Sequence, residues 1–168
     1  MIGDDGRGVF VRPGIPEFFR DRCVPAADIL TPNQFELEWL TGAEARTRET
    51  LLAAARALIA RGPRIVFVTS LAVEDTPEDA IDVVAVDASR AVRVRVPRLP
   101  IVGRGTGDAI AALFLAHVLA GRDAAEAAAR AASSLHGVLR ATVAAGAAGD
   151  GADPSPGPAR RPRPSVPR

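Results

Sequence analysis

Short runs of branched apolar residues alternate along the chain with longer helical stretches that stop at a glycine. The runs 65–68 and 81–86 are bounded by proline or aspartate, which predicts two buried strands. In the segment 92–96, valines alternate with Arg93 and Arg95, which predicts a strand near a sheet edge with one face in water. Strands that alternate with helices favour an α/β sandwich with a largely parallel or mixed sheet.

Four helices are predicted from the spacing of their apolar residues. The first three, 34–41, 48–61 and 107–120, are each followed directly by a glycine, which can adopt the left-handed conformation of a helix C-cap. The fourth begins at Asp123, whose carboxylate can cap the helix while Glu126 reaches back, and runs to about residue 144.

Charge and hydropathy exclude several classes of protein. The 168 residues include 21 basic and 20 acidic ones, so no strong field favours nucleic acid or a membrane surface. The longest apolar run, 109–120, is shorter than the roughly 20 residues of a membrane span. The single cysteine, Cys23, cannot form an internal disulfide, and the N-terminus lacks the pattern of a signal peptide. We expect a cytoplasmic protein that binds neither nucleic acid nor a membrane.

The composition changes near the C-terminus. Residues 1–145 carry enough apolar side chains for one folded domain, whereas 146–168 are rich in proline and arginine and contain almost nothing to bury. We expect this segment to be a disordered tail. Its arginines do not predict nucleic-acid binding, because no aromatic residues are interleaved with them.

The glycine-rich segment 103–108, which reads Gly-Arg-Gly-Thr-Gly-Asp, leads directly into an apolar helix. Backbone N–H groups in such a turn can converge on a phosphate, and the helix N-terminus adds about half a positive charge. Asp108 has two interpretations here. It can cap the helix, or it can act as a general base where a substrate hydroxyl meets a phosphoryl group.

A second polar segment, Thr-Pro-Asn-Gln-Phe-Glu at 31–36, joins a short predicted strand, 28–30, to a helix. Asn33 and Glu36 have the spacing of a capping box, which is one sufficient explanation for both. The alternative is a role in a site at the end of the strand.

Two further segments are weaker candidates. Thr69 and Ser70 follow a predicted strand at its carboxyl end, where open α/β sheets bind ligands, although both residues are also ordinary in turns. The acidic, glycine-rich loop 3–8 can hold a cation or form a plain turn. His136 lies within an apolar helix, which favours a structural role.

In order, the segments 28–36, 68–70, 105–108 and 134–139 resemble successive landmarks of pyridoxal kinases of the ribokinase-like family. The Gly-Thr-Gly-Asp turn is shared across that superfamily. The segment 31–36 and the Ser-Leu-His-Gly-Val-Leu sequence at 134–139 resemble its vitamin B6 branch. The resemblance covers about residues 1–143. It implies part of a ribokinase-like three-layer sandwich with a central, mostly parallel sheet flanked by helices.

The resemblance also implies a reaction, the ATP-dependent phosphorylation of the 5′-hydroxyl of pyridoxal or a related B6 vitamer in vitamin B6 salvage. Asp108 would bind that hydroxyl and act as the catalytic base. The anion hole would consist of the backbone N–H groups of Gly105, Thr106 and Gly107.

The remaining implied roles concern the nucleotide and its metal ion, Mg²⁺. Asp4 and Glu36 would lie near the metal. The residues implied at the nucleotide site are Thr31, Asn33, Glu36, Thr69, Ser70, Val102 and Arg104.

Family members carry a comparable length of chain before the stretch that begins here at Met1, and it supplies the first strands and much of the pyridoxal pocket. We therefore expect a truncated gene product or a misplaced start, and a partial sheet with unpaired edges. Two alternatives stay open. One is another ribokinase-like kinase, such as a hydroxymethylpyrimidine kinase; the other is a non-catalytic nucleotide-binding remnant. Dimers are common in the family, so a homodimer is also expected.

Overall fold

The structure is a computed structural model that describes residues 2–100 and 105–146. The predicted site residues Val102 and Arg104, and all but the first residue of the predicted tail, lie outside the described residues. The elements in chain order are β1 (Gly3–Asp4), β2 (Gly8–Val9), α1 (Ile15–Phe18), a π-helical stretch (Phe19–Cys23), α2 (Val24–Ala26), β3 (Ile29–Leu30), α3 (Gln34–Thr41), α4 (Arg48–Ile59), β4 (Ile65–Leu71), β5 (Ala80–Asp87), β6 (Ala91–Pro97), α5 (Thr106–Leu119) and α6 (Ala124–Ala144).

The main sheet has the strand order β3-β4-β5-β6. β3 and β4 are parallel, because α3 and α4 form the crossover between them, whereas β4–β5 and β5–β6 are antiparallel. The connections 72–79 and 88–90 contain no helix and are too short for the crossover that a parallel pair needs. The α/β class is thus confirmed. The sheet in the described residues is mixed, and not mostly parallel as the resemblance implied, because parallel order is confined to β3–β4. β6 is an edge strand, as predicted.

Three of the four predicted helices agree with the structure to within one residue at each end. α4 is two residues shorter than predicted, because the N–H groups of Arg61 and Gly62 turn back to the carbonyls of Leu58 and Ile59 and tighten the last turn. At the start of α6, Asp123 accepts a hydrogen bond from the backbone N–H of Glu126 at 2.9 Å, which confirms it as the N-cap.

Helices cover both faces of the sheet, which makes a three-layer sandwich in the described part of the chain. α3 and α4 pack on one face, over Val66 and Val86, and α5 and α6 pack on the other, over Phe67 and Val83. The alternation follows from strand geometry, which sends successive side chains to opposite faces. Phe67 of β4 stacks on Phe114 of α5 with ring centroids 4.2 Å apart, and this contact fixes α5 relative to β4.

The N-terminal segment has structure that the sequence did not predict. β1 and β2 form a two-stranded hairpin, and residues 15–26 form a helical segment with a π-helical middle. Two-residue strands and a helix with proline near both ends leave no periodic pattern to find. Several apolar side chains of this segment are exposed, with Phe18 the most exposed at 55%. No helix among the described residues is long and apolar enough to cross a membrane.

Candidate functional site

An open, largely apolar cavity of about 320 Å³ lies between the sheet and the helices α5 and α6. Its volume is at the lower end of the range of about 300–1,000 Å³ that is usual for small-molecule sites. β4 contributes Thr69 and Ser70 to its lining, and α5 contributes Thr106 and Gly107. α6 adds Leu135, His136 and Leu139, so the structure brings three of the four predicted segments together around one cavity.

The N-terminus of α5 opens at this cavity. Gly105 is the N-cap and has a φ of +82°, a left-handed conformation that glycine adopts without steric cost. Helix geometry directs the N–H groups of the first turn beyond the helix end, where the dipole is positive. Gly105, Thr106 and Gly107 thus occupy the positions that an anion-binding helix end requires.

Asp108 lies in the first turn of α5 and is exposed. The capping interpretation of this residue is wrong, because Gly105 holds the N-cap position and the Asp108 side chain makes no capping hydrogen bond in the part of the chain that the structure describes. The Asp108 carboxylate makes no hydrogen bond or ion pair with the residues that the structure describes. It is a carboxylate beside the positive end of a helix, without a structural partner in that part of the chain.

Asn33 and Glu36 form the predicted capping box at the start of α3. Asn33 Oδ1 accepts from the Glu36 N–H at 2.8 Å, and Glu36 Oε2 accepts from the Asn33 N–H at 3.1 Å. The same side chains reach the N-terminal hairpin. Glu36 Oε1 accepts from the backbone N–H of Ile2, and Asn33 Nδ2 donates to the carbonyl of Gly3 at 2.8 Å. The box therefore ties β1 to α3 as well as capping the helix.

The approach of the hairpin to α3 is possible only because residue 3 is a glycine. A Cβ atom on Gly3 would lie 2.4 Å from the carbonyl oxygen of Gly8 and 2.5 Å from Cε1 of Phe35. Neither distance leaves room for a methyl group.

Thr69 and Ser70 both line the cavity although they are consecutive residues of a strand. A regular strand would direct them to opposite faces. Here the register of β4 against β5 shifts between Val68 and Leu71, and Ser70 has a φ of +54°. A positive φ is uncommon for serine and costs free energy, and such strain is found often at functional sites. The local bulge gives the cavity two neighbouring hydroxyl groups.

Thr31 lies outside this cavity. It lines a smaller cavity of about 190 Å³ at the β3–α3 junction, together with Glu36 and Ile2. Among the described residues, the predicted nucleotide positions thus fall into two groups. Thr69 and Ser70 lie at the larger cavity, and Thr31, Asn33 and Glu36 lie around the start of α3.

The predicted metal residues have other contacts in the structure. Hydrogen bonds from Arg7 lower the pKa of Asp4, whose Oδ2 lies 2.6 Å from Nη2 of Arg7. Both carboxylate oxygens of Glu36 accept backbone N–H groups. Across residues 2–100 and 105–146, no group of three or more His, Cys, Asp or Glu side chains could hold a metal ion. Coordination of Mg²⁺ by Asp4 and Glu36 stays a prediction.

One residue of the cavity was given only a structural role from the sequence. His136 of α6 lines the cavity, and its Nε2 is buried without a hydrogen-bond partner among the described residues. Its spacing of four and three residues from Ala132 and Leu139 on the same helix face is the sequence signal that would have placed it there.

The family model and the relatives that match this chain all belong to kinases of related small-molecule substrates. The family model for phosphomethylpyrimidine kinase matches residues 4–154. A pyridoxal kinase of Granulibacter bethesdensis is 53% identical over 150 residues, which cover 87% of this chain and 52% of that protein. A pyridoxal kinase of Rubrobacter xylanophilus is 51% identical, with 88% and 51% covered. The chain therefore spans about half the length of the curated relatives it matches.

Solved structures agree. A pyridoxal kinase from Leishmania donovani in complex with ADP superposes with a TM-score of 0.75 at 27% identity, over 89% of this chain and 51% of that one. The resemblance found in the sequence and the α/β fold are both confirmed.

Proposed function

Because the chain belongs to the phosphomethylpyrimidine kinase family, we propose that it carries the nucleotide-binding and catalytic part of a pyridoxal kinase. The reaction is transfer of the γ-phosphate of ATP to the 5′-hydroxyl of pyridoxal or a related B6 vitamer. The observation that carries this proposal is the N-terminus of α5 beside a cavity, with the carboxylate of Asp108 in its first turn and without a partner among residues 2–100 and 105–146.

The α5 end supports a role in holding phosphate. Charge builds up on the phosphoryl oxygens during transfer, and backbone N–H groups fixed in advance stabilise it without reorganising. Gly105, Thr106 and Gly107 supply such groups in this proposal, and Arg104, outside the described residues, adds a positive charge.

Asp108 acts as the base. A carboxylate oxygen of Asp108 takes the proton of the 5′-hydroxyl, and the hydroxyl oxygen bonds to the γ-phosphorus. The bond from that phosphorus to the oxygen shared with the β-phosphate breaks, and ADP leaves. An exposed carboxylate without an ion pair in the described chain suits this role, because no partner has to be displaced first.

The nucleoside occupies the cavity beyond the phosphates. The hydroxyl groups of Thr69 and Ser70 are suited to hydrogen bonds with the sugar or the phosphates, and the apolar walls are suited to a flat base. Val102, outside the described residues, adds to the adenine wall in this proposal. Thr31 and Asn33 shape the neighbouring start of α3.

Mg²⁺ would bind together with the phosphates of ATP and neutralise part of their negative charge. Because the oxygens of Asp4 and Glu36 already accept hydrogen bonds, these carboxylates would contact the hydration shell of the ion and not the ion itself. Mg²⁺ keeps several water molecules in many protein sites, which suits this arrangement.

A second candidate reaction is phosphorylation of a hydroxymethylpyrimidine, since the matching family is described as phosphomethylpyrimidine kinase, a class of enzyme that also acts on a substituted pyrimidine. Its acceptor is also a hydroxymethyl group on a nitrogen heterocycle, so the same base and anion site would serve. The two reactions differ in the groups that contact the ring.

The test is ATP-dependent formation of pyridoxal 5′-phosphate by the purified chain with Mg²⁺, beside an Asp108→Ala variant and with hydroxymethylpyrimidine as the second acceptor. Turnover of pyridoxal that the variant loses supports the proposal. Preference for the pyrimidine favours the second reaction. Nucleotide binding without turnover of either acceptor favours a non-catalytic nucleotide-binding chain.

We also propose a homodimer in the cytoplasm, as the family resemblance implies. Light scattering of the purified chain gives its mass directly. A monomer at micromolar concentration would contradict the dimer and leave the proposed reaction standing.

A further inference from the structure

The bulge of β4 changes which residues of this strand reach the core. Val66 and Val68 lie in the core under α3 and α4, and a regular strand would bring residue 70 to the same face. Leu71 lies there instead, and Ser70 lines the cavity on the opposite face. The strand pairing explains this, because β4 has one more residue between Val68 and Leu71 than β5 has between their partners. This extra residue determines whether a serine or a leucine side chain faces the cavity.

The start of α3 holds both ends of the bulge. The Thr69 N–H donates to the carbonyl of Pro32 at 2.9 Å. At the other end, the Ala72 N–H donates to Oε1 of Gln34 at 2.9 Å. Ser70 lies between these two bonds with a φ of +54°, a conformation that costs a serine free energy. The bond to Gln34 therefore opposes the return of β4 to a regular strand.

The side chain of Gln34 is itself fixed in place. Only 2% of this residue is exposed, and its Nε2 donates to the carbonyl of Ala45 at 3.0 Å. The Ala45 N–H donates to Oε1 of Glu38 at 2.9 Å, so the acceptor of that bond is held in turn. A carboxylate would lack the donor, and an apolar side chain would lack both groups. Both ends of the amide are thus used at this position.

We propose that Gln34 is a positioning residue that sets the bulge of β4 and so keeps the Ser70 hydroxyl in the cavity. The consequence for binding rests on the proposed function, in which that hydroxyl contacts the sugar or the phosphates of the nucleotide. Without the bond to Ala72, more molecules would adopt the regular strand, and apparent affinity falls with the fraction that is competent to bind. Gln34 acts through Ser70, since its own amide is bound to Ala45 and Ala72.

The test measures two properties, the affinity for ADP by calorimetry and the NMR carbon shifts of Ser70 in the free chain. Gln34→Met keeps the length of the side chain and removes both hydrogen bonds. We expect the Ser70 shifts to move from left-handed toward extended values. ADP should bind about tenfold more weakly, because the competent fraction falls. Gln34→Glu retains an oxygen for the Ala72 N–H, and it should restore the Ser70 shifts and most of the affinity.

Two further variants separate positioning from general stability. Ser70→Gly removes the steric cost of a positive φ. In this background, Gln34→Met should weaken ADP binding by much less than it does in the unmodified chain. Leu58→Val is the matched control, because Leu58 is buried in α4 and does not line the cavity. It should lower the urea midpoint and leave both the Ser70 shifts and the ADP affinity unchanged.

Each outcome bears on one step of this proposal. Unchanged Ser70 shifts in Gln34→Met would overturn the link between Gln34 and the bulge. An equal loss of affinity in the Ser70→Gly background, or a comparable loss in Leu58→Val, would show that Gln34 does not act through Ser70. Either result would overturn the positioning role and leave the kinase proposal intact. If the unmodified chain binds no ADP, the proposed function fails, and a change in the Ser70 shifts would still support the link to the bulge.

Discussion

Asn33 and Thr69 pair as an isolated parallel bridge beyond the end of β3, and the Thr69 N–H donates to the carbonyl of Pro32 at 2.9 Å. The cap of α3 is thereby held against the end of β4. Because Asn33 also holds Gly3, the hairpin, the start of α3 and the bulge at Ser70 form one connected unit. Changes in one part of this unit should be felt in the others.

Asp108→Asn should abolish most phosphoryl transfer and leave nucleotide binding intact. General bases contribute about 10²–10⁴-fold to rate, so we expect kcat to fall by at least about 100-fold. ADP should bind as tightly or more tightly, because a negative charge is removed from the α5 end. Steady-state kinetics and calorimetry measure the two effects. Asp79→Asn, at another exposed aspartate, should change neither, and an active Asp108→Asn enzyme would refute the assignment.

Glu36→Gln should destabilise the chain, because the amide nitrogen cannot accept one of the two backbone N–H groups that the carboxylate now accepts. An unsatisfied buried donor costs about 1–3 kcal/mol in free energy of unfolding. Urea denaturation measures this difference. Glu44→Gln removes the same charge at an exposed site and should have little effect. Equal stability of both variants would show that the tie between β1 and α3 is weak.

Asp82→Asn should make the free energy of unfolding less dependent on pH in the acidic range. Burial opposes ionisation of Asp82, but hydrogen bonds from Arg95 and Thr76 outweigh it and lower its pKa. A lowered carboxyl pKa gives stability that is present above the unfolded value of about 3.9 and is lost as the pH falls through the folded value. At neutral pH the variant should be less stable by about 1.5–3 kcal/mol.

Denaturation midpoints between neutral pH and pH 3 measure this effect. The difference in unfolding free energy between the unmodified chain and Asp82→Asn should become smaller below about pH 4. Asp21→Asn is the control, because Asp21 pairs with Arg20 in an exposed position. The stability difference between this variant and the unmodified chain should be smaller at every pH. A difference for Asp82→Asn that stays constant down to pH 3 would contradict the linkage.

Phe114→Leu should loosen α5 against β4. The stacked pair with Phe67 contributes about 0.5–1.5 kcal/mol beyond its buried area, so we expect a loss of at least about 1 kcal/mol in unfolding free energy. The α5 end should then hold phosphate less firmly, and the KM for ATP should rise more than kcat falls. Leu119→Ala, at a side chain that is 78% exposed, is the control. A stability loss without any change in KM would mean that the stack does not position the site.

Most of the regular structure could be predicted from the sequence, because it follows from periodic patterns. The spacing of apolar residues and the capping residues predicted the bounds of α3 and α6. The alternation of valine with arginine over residues 92–96 predicted an edge strand. Whether neighbouring strands run parallel or antiparallel could not be derived in this way, since it depends on which connections contain a helix. The N-terminal hairpin was missed because its order comes from hydrogen bonds to Asn33 and Glu36, which are distant in sequence.

The site was predicted in part. The sequence indicated an anion-binding turn, and the structure joins that turn to a cavity through Thr106 and Gly107. The bulge that turns Ser70 toward the cavity leaves no trace in composition. The orphan Nε2 of His136 is visible only once the groups around it are known.

Every amino acid other than glycine carries a Cβ atom, and the surroundings of Gly3 leave no room for one. Any heritable change at this position would therefore push the hairpin away from α3 and release the hydrogen bonds of Ile2 and Gly3. Selection should remove such changes even though residue 3 takes no part in the chemistry. Asp5, which is exposed in the adjoining turn, is under no such steric restriction and should vary more readily between related lineages.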